Sequence, residues 1–385
     1  MNRIFSFAVA IAAALFACGV APIGAQEAIR IPYAGSLSGP FVDFGERLFN
    51  EGVLIATEEV NAAGGIKGKK LEFYKVDVRS PDTAAWIAIY RRLCEDKSNP
   101  MLLFNSSTKM LFGIYDDNKR CPMVVLAPTP AGAWSYPDYG NIIFRYMPMP
   151  QKVLPVLYSR IKEQLKAKTV AISYSIDDEA SFFNMKVARQ ALQDNGFQIV
   201  TEQASKFNES NFSTQVAAIR AANADIVVLS HQPGDGGKVV RQLVDRGITT
   251  QVVDTGTAVA GDDFWKLSEG KGKGALTYSV YAATDPRPVV QNFIKKWREK
   301  MKRPDGAPDS YVAATYDSIH VLARVLNNAP SLAPDDLVKG FLSIKNLETV
   351  SGVVSWNSVG EIDRDKPVLV QLGDNGVLLP WPTVR

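Results

Sequence analysis

Glu59-Val60-Asn61-Ala62-Ala63-Gly64-Gly65-Ile66-Lys67-Gly68 is the stretch on which the fold turns. Ahead of it, from about Phe44 to Asn61, the apolar side chains Leu48, Ile55, Ala56 and Val60 recur at helical spacings and so share one face. The glycine pair stops that helix, because glycine enters the left-handed cap conformation without a Cβ penalty. Ala28 to Ala34 on one side and Lys70 to Asp77 on the other read as strands. Strand, helix and strand in this order make a βαβ unit, the building block of a parallel sheet.

The rhythm continues outward. A helix opened by Ser80-Pro81-Asp82, a strand from Met101 to Phe104, a helix from Ser107 and a strand from Met123 to Ala127 complete one α/β unit with helices on both faces of the sheet. After a proline-broken link from Arg145 to Pro155 a second unit begins. Its strands are Thr169 to Tyr174, Phe197 to Thr201, Asp225 to Ser230 and Gln251 to Asp254, separated by helices near 180–195, 211–222 and 237–247. From Ala275 follow a strand, helices near 286–301, 309–328 and 334–345, and a β-rich end with Gly352 to Trp356 and Pro367 to Leu372. That remainder is too small and elongated for a third domain and is expected to complete the first two.

The 385 residues, 46% hydrophobic and 22% charged, suit a globular chain of two domains with an ample core. Lys+Arg 43 against Asp+Glu 40 leaves +3 with both signs interspersed; no basic stripe marks a nucleic-acid partner. Met1-Asn2-Arg3, an apolar run from Ile4 to Cys18 and the small residues up to Ala25 make residues 1–25 a cleavable signal peptide, cut after Ala25. The run is shorter than the roughly 20 residues that span a bilayer, which argues against an anchor. Leu15-Phe16-Ala17-Cys18 approaches a bacterial lipoprotein box, but Phe16 fits poorly, so lipidation at Cys18 is the minor alternative. The expected location is the periplasm. Export leaves Cys94 and Cys121 in an oxidising compartment, where a disulfide is the natural reading, two buried thiols the plain one and a catalytic thiol the weakest.

The sequence holds no G-x-S-x-G elbow, H-E-x-x-H helix, paired C-x-x-C or full P-loop. Gly234-Asp235-Gly236-Gly237-Lys238 comes nearest, but Gln232 and Val239 stand where a P-loop needs glycine and Ser or Thr; it reads as a flexible strand-to-helix turn. Of the two histidines, His231 follows a strand and is a candidate ligand contact, whereas His320 reads as a packed core residue. No enzyme chemistry, metal or cofactor is expected. In open parallel sheets ligands sit beyond the carboxyl ends of the strands. There the chain carries Gly35-Ser36-Leu37-Ser38-Gly39-Pro40, Asn105-Ser106-Ser107-Thr108 and Ala127-Pro128-Thr129-Pro130-Ala131. Hydroxyls with the free N–H groups of a helix start can hold a carboxylate without a counter-charge.

With these loops, the Glu59–Gly68 stretch, the Ser38-Gly39-Pro40 turn and Ala314-Thr315-Tyr316-Asp317-Ser318, the chain resembles the periplasmic solute-binding proteins of the leucine/isoleucine/valine type, which serve ABC importers. The resemblance spans nearly everything beyond residue 25. It implies an α/β fold of two doubly wound parallel-sheet lobes, the type I periplasmic binding fold, joined by a three-strand hinge, with the ligand clamped between them. Residues 26–146 and 281–354 would form the N-terminal lobe, and 147–280 and 355–385 the C-terminal lobe. It also implies a monomer that delivers a small carboxylate to a membrane permease.

On the first lobe's lip the resemblance places Phe44, Asn105, Ser106, Thr129 and Ala131, with Ser107 and Pro130 in the same loops. On the second it places Glu179, Gln232, Thr255 and Gly256. Amino-acid-binding relatives hold the ligand's ammonium with a second-lobe carboxylate where this chain has Gly256, and with a hydroxyl where it has Ala131. A buried ammonium without partners is costly. Either Asp254, Glu179 or Asp177 substitutes, or the ligand is an aromatic or aliphatic acid without an amino group. In the second case Trp134-Ser135-Tyr136 flanks a ring, unless Trp134 and Tyr136 serve lobe packing. A ligand-sensing regulator or receptor domain of the same fold and a periplasmic hydrolase are the rival readings.

Overall fold

The computed structural model describes residues 28–130, 142–259, 261–363 and 368–382. The expected leader, Cys18, Ala131, Trp134 and Tyr136 lie outside the described residues. The first lobe opens with β1 (Ile29–Gly35), α1 (Val42–Leu48), α2 (Leu54–Ala62), β2 (Leu71–Asp77), α3 (Thr83–Glu95), β3 (Met101–Asn105), α4 (Thr108–Gly113), α5 (Tyr115–Arg120), β4 (Val124–Ala127) and β5 (Ile143–Arg145). The strands form one parallel sheet in the order β2-β1-β3-β4-β5. β3 and β4 are buried along their whole length, which is why their sequences run apolar without alternation. Asp82 and Ser107 cap α3 and α4 by accepting the N–H groups of Ala85 and Met110. Cys94 of α3 and Cys121, just beyond α5, are joined as a disulfide with Cα atoms 6.1 Å apart.

The second lobe follows: α6 (Pro150–Leu165), β6 (Thr169–Ser175), α7 (Glu179–Asp194), β7 (Gln198–Ser205), α8 (Ser213–Ala222), β8 (Ile226–Ser230), α9 (Pro233–Asp245), β9 (Gln251–Asp254), α10 (Asp262–Leu267) and β10 (Leu276–Ser279). Val280 and Tyr281 re-enter the first lobe's core. There α11 (Pro288–Met301), α12 (Ser310–Asn328), α13 (Pro334–Leu342), β11 (Leu347–Thr349), β12 (Gly352–Trp356) and β13 (Ile362–Asp363) pack, the last three strands as a small antiparallel sheet. β14 (Val368–Leu372) and β15 (Leu378–Pro380) then extend the second sheet, giving β15-β14-β10-β9-β8-β6-β7. The chain thus passes between lobes three times: after Met147, after β10 and between Asp363 and Val368. No helix of the described residues is long and apolar enough to cross a membrane.

Four expectations need correction. The link from Arg145 to Pro155 runs from the last residue of β5 into the first turns of α6; Pro150 occupies the first turn, where its missing N–H costs nothing, and Pro155 lies on the exposed face, where water can take the freed carbonyl. Residues 355–363 stay with the first lobe. Trp356 packs against Phe144, Tyr146 and Phe341, and its indole N–H donates to the Arg145 carbonyl at 3.0 Å. Gly234 to Lys238 is helix, not a flexible turn. A Cβ on Gly236 would lie 2.7 Å from that of Ala258, and one on Gly237 2.8 Å from the Phe264 carbonyl, so both glycines let α9 close on α10 and the segment before it. His320 is only half-buried, its Nε2 3.1 Å from the Glu59 carboxylate.

Candidate functional site

The loops after β1, β3 and β4 meet those after β7, β8 and β9 across a cleft of about 410 Å³ between the lobes. This is where a doubly wound sheet offers its binding loops. Hydroxyls make the first lobe's wall: Ser36, Ser106, Ser107, Thr108 and Thr129. Ser36 Oγ and Ser106 Oγ are 2.7 Å apart, Thr129 Oγ1 donates to the Ser106 carbonyl at 3.4 Å, and Ser107 Oγ accepts the Met110 N–H at 3.4 Å. Among the described residues, no lysine or arginine of this lobe lines the cleft.

Charge on the second wall is paired internally. Asp235 is almost fully buried; its Oδ2 accepts the Asn208 N–H at 2.7 Å and its Oδ1 lies 3.1 Å from Lys238 Nζ. Burial pushes this carboxyl up, and the Asn208 N–H and Lys238 oppose it. Gln232 Nε2 donates to Asp178 Oδ2 at 3.0 Å, and Thr257 Oγ1 donates to the His231 carbonyl at 2.7 Å. Phe41, Phe44, Phe207, Leu267 and Tyr311 supply the apolar surface.

Of the expected site residues, Phe44, Ser106, Ser107, Thr129, Pro130 and Gln232 line this cleft. Five others do not. Asn105 is buried within the first lobe, its Nδ2 donating to Thr315 Oγ1 at 3.1 Å. The carboxylate of Asp254 is buried in the second lobe, where it accepts the N–H groups of Ala258 and Val259 and the Thr277 hydroxyl. Burial pushes its pKa up to about 6 despite these bonds. Thr255 Oγ1 lies 3.0 Å from Ser230 Oγ. Gly256 has φ +99°, and a Cβ there would sit 2.1 Å from the Tyr278 ring, so no side chain fits at this position. Glu179 faces Lys109 from the start of α7; burial raises its carboxyl and Lys109 pulls it back. Asp177 accepts the Phe207 N–H at 2.6 Å. Ala131 and Trp134 lie outside the described residues.

His231 does not reach the cleft. Its ring is fully buried between Ser173 Oγ (2.9 Å) and Ser175 Oγ (3.0 Å), and burial lowers its pKa to about 3. It is a neutral structural residue, not a ligand contact. Sequence reasoning missed Phe207, Asp235, Lys238 and Tyr311. Phe207 was within reach: it follows the carboxyl end of β7, but Glu202-Gln203-Ala204-Ser205 is polar and was read as lying beyond the strand.

Two doubly wound lobes facing each other across a hydroxyl-lined cleft define a two-lobed ligand-binding fold. The chain belongs to the periplasmic binding protein family, whose model matches residues 28–365. It is 25% identical over 354 residues to the leucine-specific-binding protein of Salmonella typhimurium, covering 91% of this chain and 93% of that one. To the Leu/Ile/Val-binding protein of Escherichia coli K12 it is 25% identical over 358 residues, 92% and 93% of the two chains. In fold it is similar to LivJ of Streptococcus pneumoniae in complex with isoleucine, with TM-score 0.79, 19% identity, and 91% and 98% coverage. A solute-binding protein of R. palustris in complex with 4-hydroxybenzoate superposes with TM-score 0.77, 18% identity, and 92% and 95% coverage.

Proposed function

We propose that this chain captures a small organic carboxylate without an amino group in the periplasm and presents the closed complex to an ABC permease. The carboxylate would rest on the hydroxyls of Ser106, Ser107 and Thr129 beside the start of α4, a neutral cradle for an anion. One observation carries the choice of ligand: among the described residues, each second-lobe carboxylate that lines the cleft already has a lysine beside it. Asp235 is held by Lys238, and Asp263 shares Lys266, at 3.9 Å, with Asp262, which lies nearer to it at 3.0 Å; Asp177, Glu179 and Asp254 do not line the cleft. The aromatic lining suits an aromatic or branched apolar body, and the cleft's size fits a small ligand. Neighbours of this fold in complex with 4-hydroxybenzoate and with 3,4-dihydroxybenzoic acid support that class, as those with isoleucine and leucine support the alternative.

Within the cleft the amino-acid alternative is favoured by the exposed Asp43 at the start of α1 and by Asp263, whose lysine is shared with Asp262. A thermal-shift comparison of matched pairs separates the two: L-leucine against 4-methylpentanoate, L-phenylalanine against 3-phenylpropanoate, with 4-hydroxybenzoate alongside. A ligand at 100 times its Kd should stabilise by about 2.7 kcal/mol. Larger shifts from the amino acids than from their deamino partners would overturn the proposed class, and loss of those shifts in Asp43→Asn would identify the ammonium partner.

A further inference from the structure

Phe41 and Phe207 come from opposite lobes, yet their rings stack at 5.2 Å with only 13° between planes. Both line the cleft. Phe207 follows β7, the outermost strand of the second sheet, three strands from β9 and therefore about 14 Å away at usual strand spacing. At the β9 end the Tyr311 hydroxyl donates to the Thr257 carbonyl at 3.3 Å. That contact lies beside a passage of chain between lobes, because the neighbouring Ser310 Oγ is 3.1 Å from Ser279 Oγ and accepts the Val280 N–H at 3.1 Å. One end of the cleft is thus joined by chain, and the ring pair closes the other.

Both rings are presented by constrained turns. Gly39, with φ +73°, and Pro40 set the short turn that ends at Phe41. On the other lobe two consecutive amides are tied to carboxylates: the Phe207 N–H to Asp177 Oδ1 at 2.6 Å, and the Asn208 N–H to Asp235 Oδ2 at 2.7 Å. Lys238 holds Asp235 from its other oxygen and donates to the Glu209 carbonyl at 3.1 Å, fastening the far side of the turn. A ligand ring sandwiched between the two phenyls would need about 7 Å between them, two layers at about 3.5 Å each. The rings are too close for that and touch each other instead.

We infer that Phe41 and Phe207 form a latch that holds the mouth of the cleft shut and slows escape of whatever is bound, and that they do not clamp the ligand. The kinetic half of this inference rests on the proposed ligand-binding role of the cleft; the closure half does not. Spin labels on Glu72→Cys and Gln190→Cys, exposed positions on the two lobes, report the inter-lobe distance without ligand. Cys94 and Cys121 are paired and do not take label, and Cys18 is replaced by serine. The short-distance population should fall in Phe207→Ala, and adding Phe41→Ala should lower it little further, because either change alone removes the stack. Stopped-flow dissociation of 4-hydroxybenzoate and of L-leucine should accelerate by about three- to tenfold for any probe that binds, the range expected of an aromatic pair, with association rates within about twofold. An unchanged distance distribution overturns the latch, as does a rate effect confined to the aromatic probe where both bind. If neither probe binds the unsubstituted protein, the reading of the ligand fails while the distance measurement alone decides the latch.

Discussion

Asp309 organises the seam between the lobes, and its loss should be felt in both. Its Oδ1 accepts the Val312 N–H at 2.8 Å and caps α12; its Oδ2 takes Arg47 Nη1 at 2.5 Å and the Asp262 N–H, from the second lobe, at 3.2 Å. The Arg47 and Asp309 side chains are only 11% and 8% exposed. Burial alone would lower the pKa of Arg47, but Asp309, followed by Glu51, Asp262 and Asp263, more than offsets it and holds the guanidinium charged. Breaking a buried ion pair costs about 3–5 kcal/mol, and losing an N-cap costs about 1 kcal/mol. The three remaining carboxylates soften the first term, so Asp309→Ala should destabilise by about 3–4 kcal/mol. Asp309→Asn keeps a capping oxygen and should lose about 1 kcal/mol less. Urea unfolding followed by fluorescence and circular dichroism together is the assay, since a two-lobed chain need not unfold in one step. A loss under about 1 kcal/mol for Asp309→Ala would refute the reasoning by showing that Arg47 does not depend on Asp309.

Thr129→Val removes a hydroxyl whose internal bond is long, so stability should change little, whereas Kd for the best carboxylate should rise by about 12- to 150-fold if that hydroxyl bonds an ionised oxygen; calorimetric titration giving an unchanged Kd would remove Thr129 from the site. His231, with its pKa depressed to about 3, binds fewer protons folded than unfolded below pH 6.5, so the stability it contributes is present above that pH and is lost as pH falls toward 3. Between pH 6.5 and 4.5 this amounts to about 2 kcal/mol, and His231→Gln should show a correspondingly flatter acid limb in urea titrations at stepped pH. Replacing Cys94 and Cys121 by alanine opens a loop of sequence separation 27, worth about 3.5 kcal/mol of chain entropy. Neither cysteine lines the cleft, so ligand affinity should be retained; a parallel loss of affinity would show that the disulfide also shapes the site.

The fold was legible because its signals are local. Buried parallel strands such as Met101–Asn105 and Ile226–Ser230 are short uninterrupted apolar runs, and Asp82, Ser107 and Gly64-Gly65 mark where helices start and stop. Errors arose where one residue type serves two purposes. Pro150 was read as a breaker although it starts a helix, and Gly236-Gly237 as flexible although a close helix contact requires them. The first lobe's lip was legible for the same reason as the strands: Ser106, Ser107 and Thr129 follow buried strands directly. The second lobe's lip was not. Asp254 and Asp235 are both acidic residues near strand ends, but only the folded chain shows that the first caps its own loop and the second fixes the turn that carries Phe207.

The two walls of the cleft divide the work in a way that bears on the order of binding. Hydroxyls on the first lobe can receive a carboxylate without breaking any ion pair, because the partners of Ser106, Ser107 and Thr129 are another hydroxyl, an amide and a carbonyl. On the second lobe Asp235 already faces Lys238 and the Gln232 amide is bonded to Asp178, so a charged ligand gains little by docking on them first. In the proposed reading the ligand's charge is therefore recognised by the first lobe while the cleft is open, and its shape is tested only as Pro233, Leu267 and Thr257 arrive with the second. Substitutions on the first wall should then act on ligands according to their carboxylate, and substitutions on the second according to their apolar body.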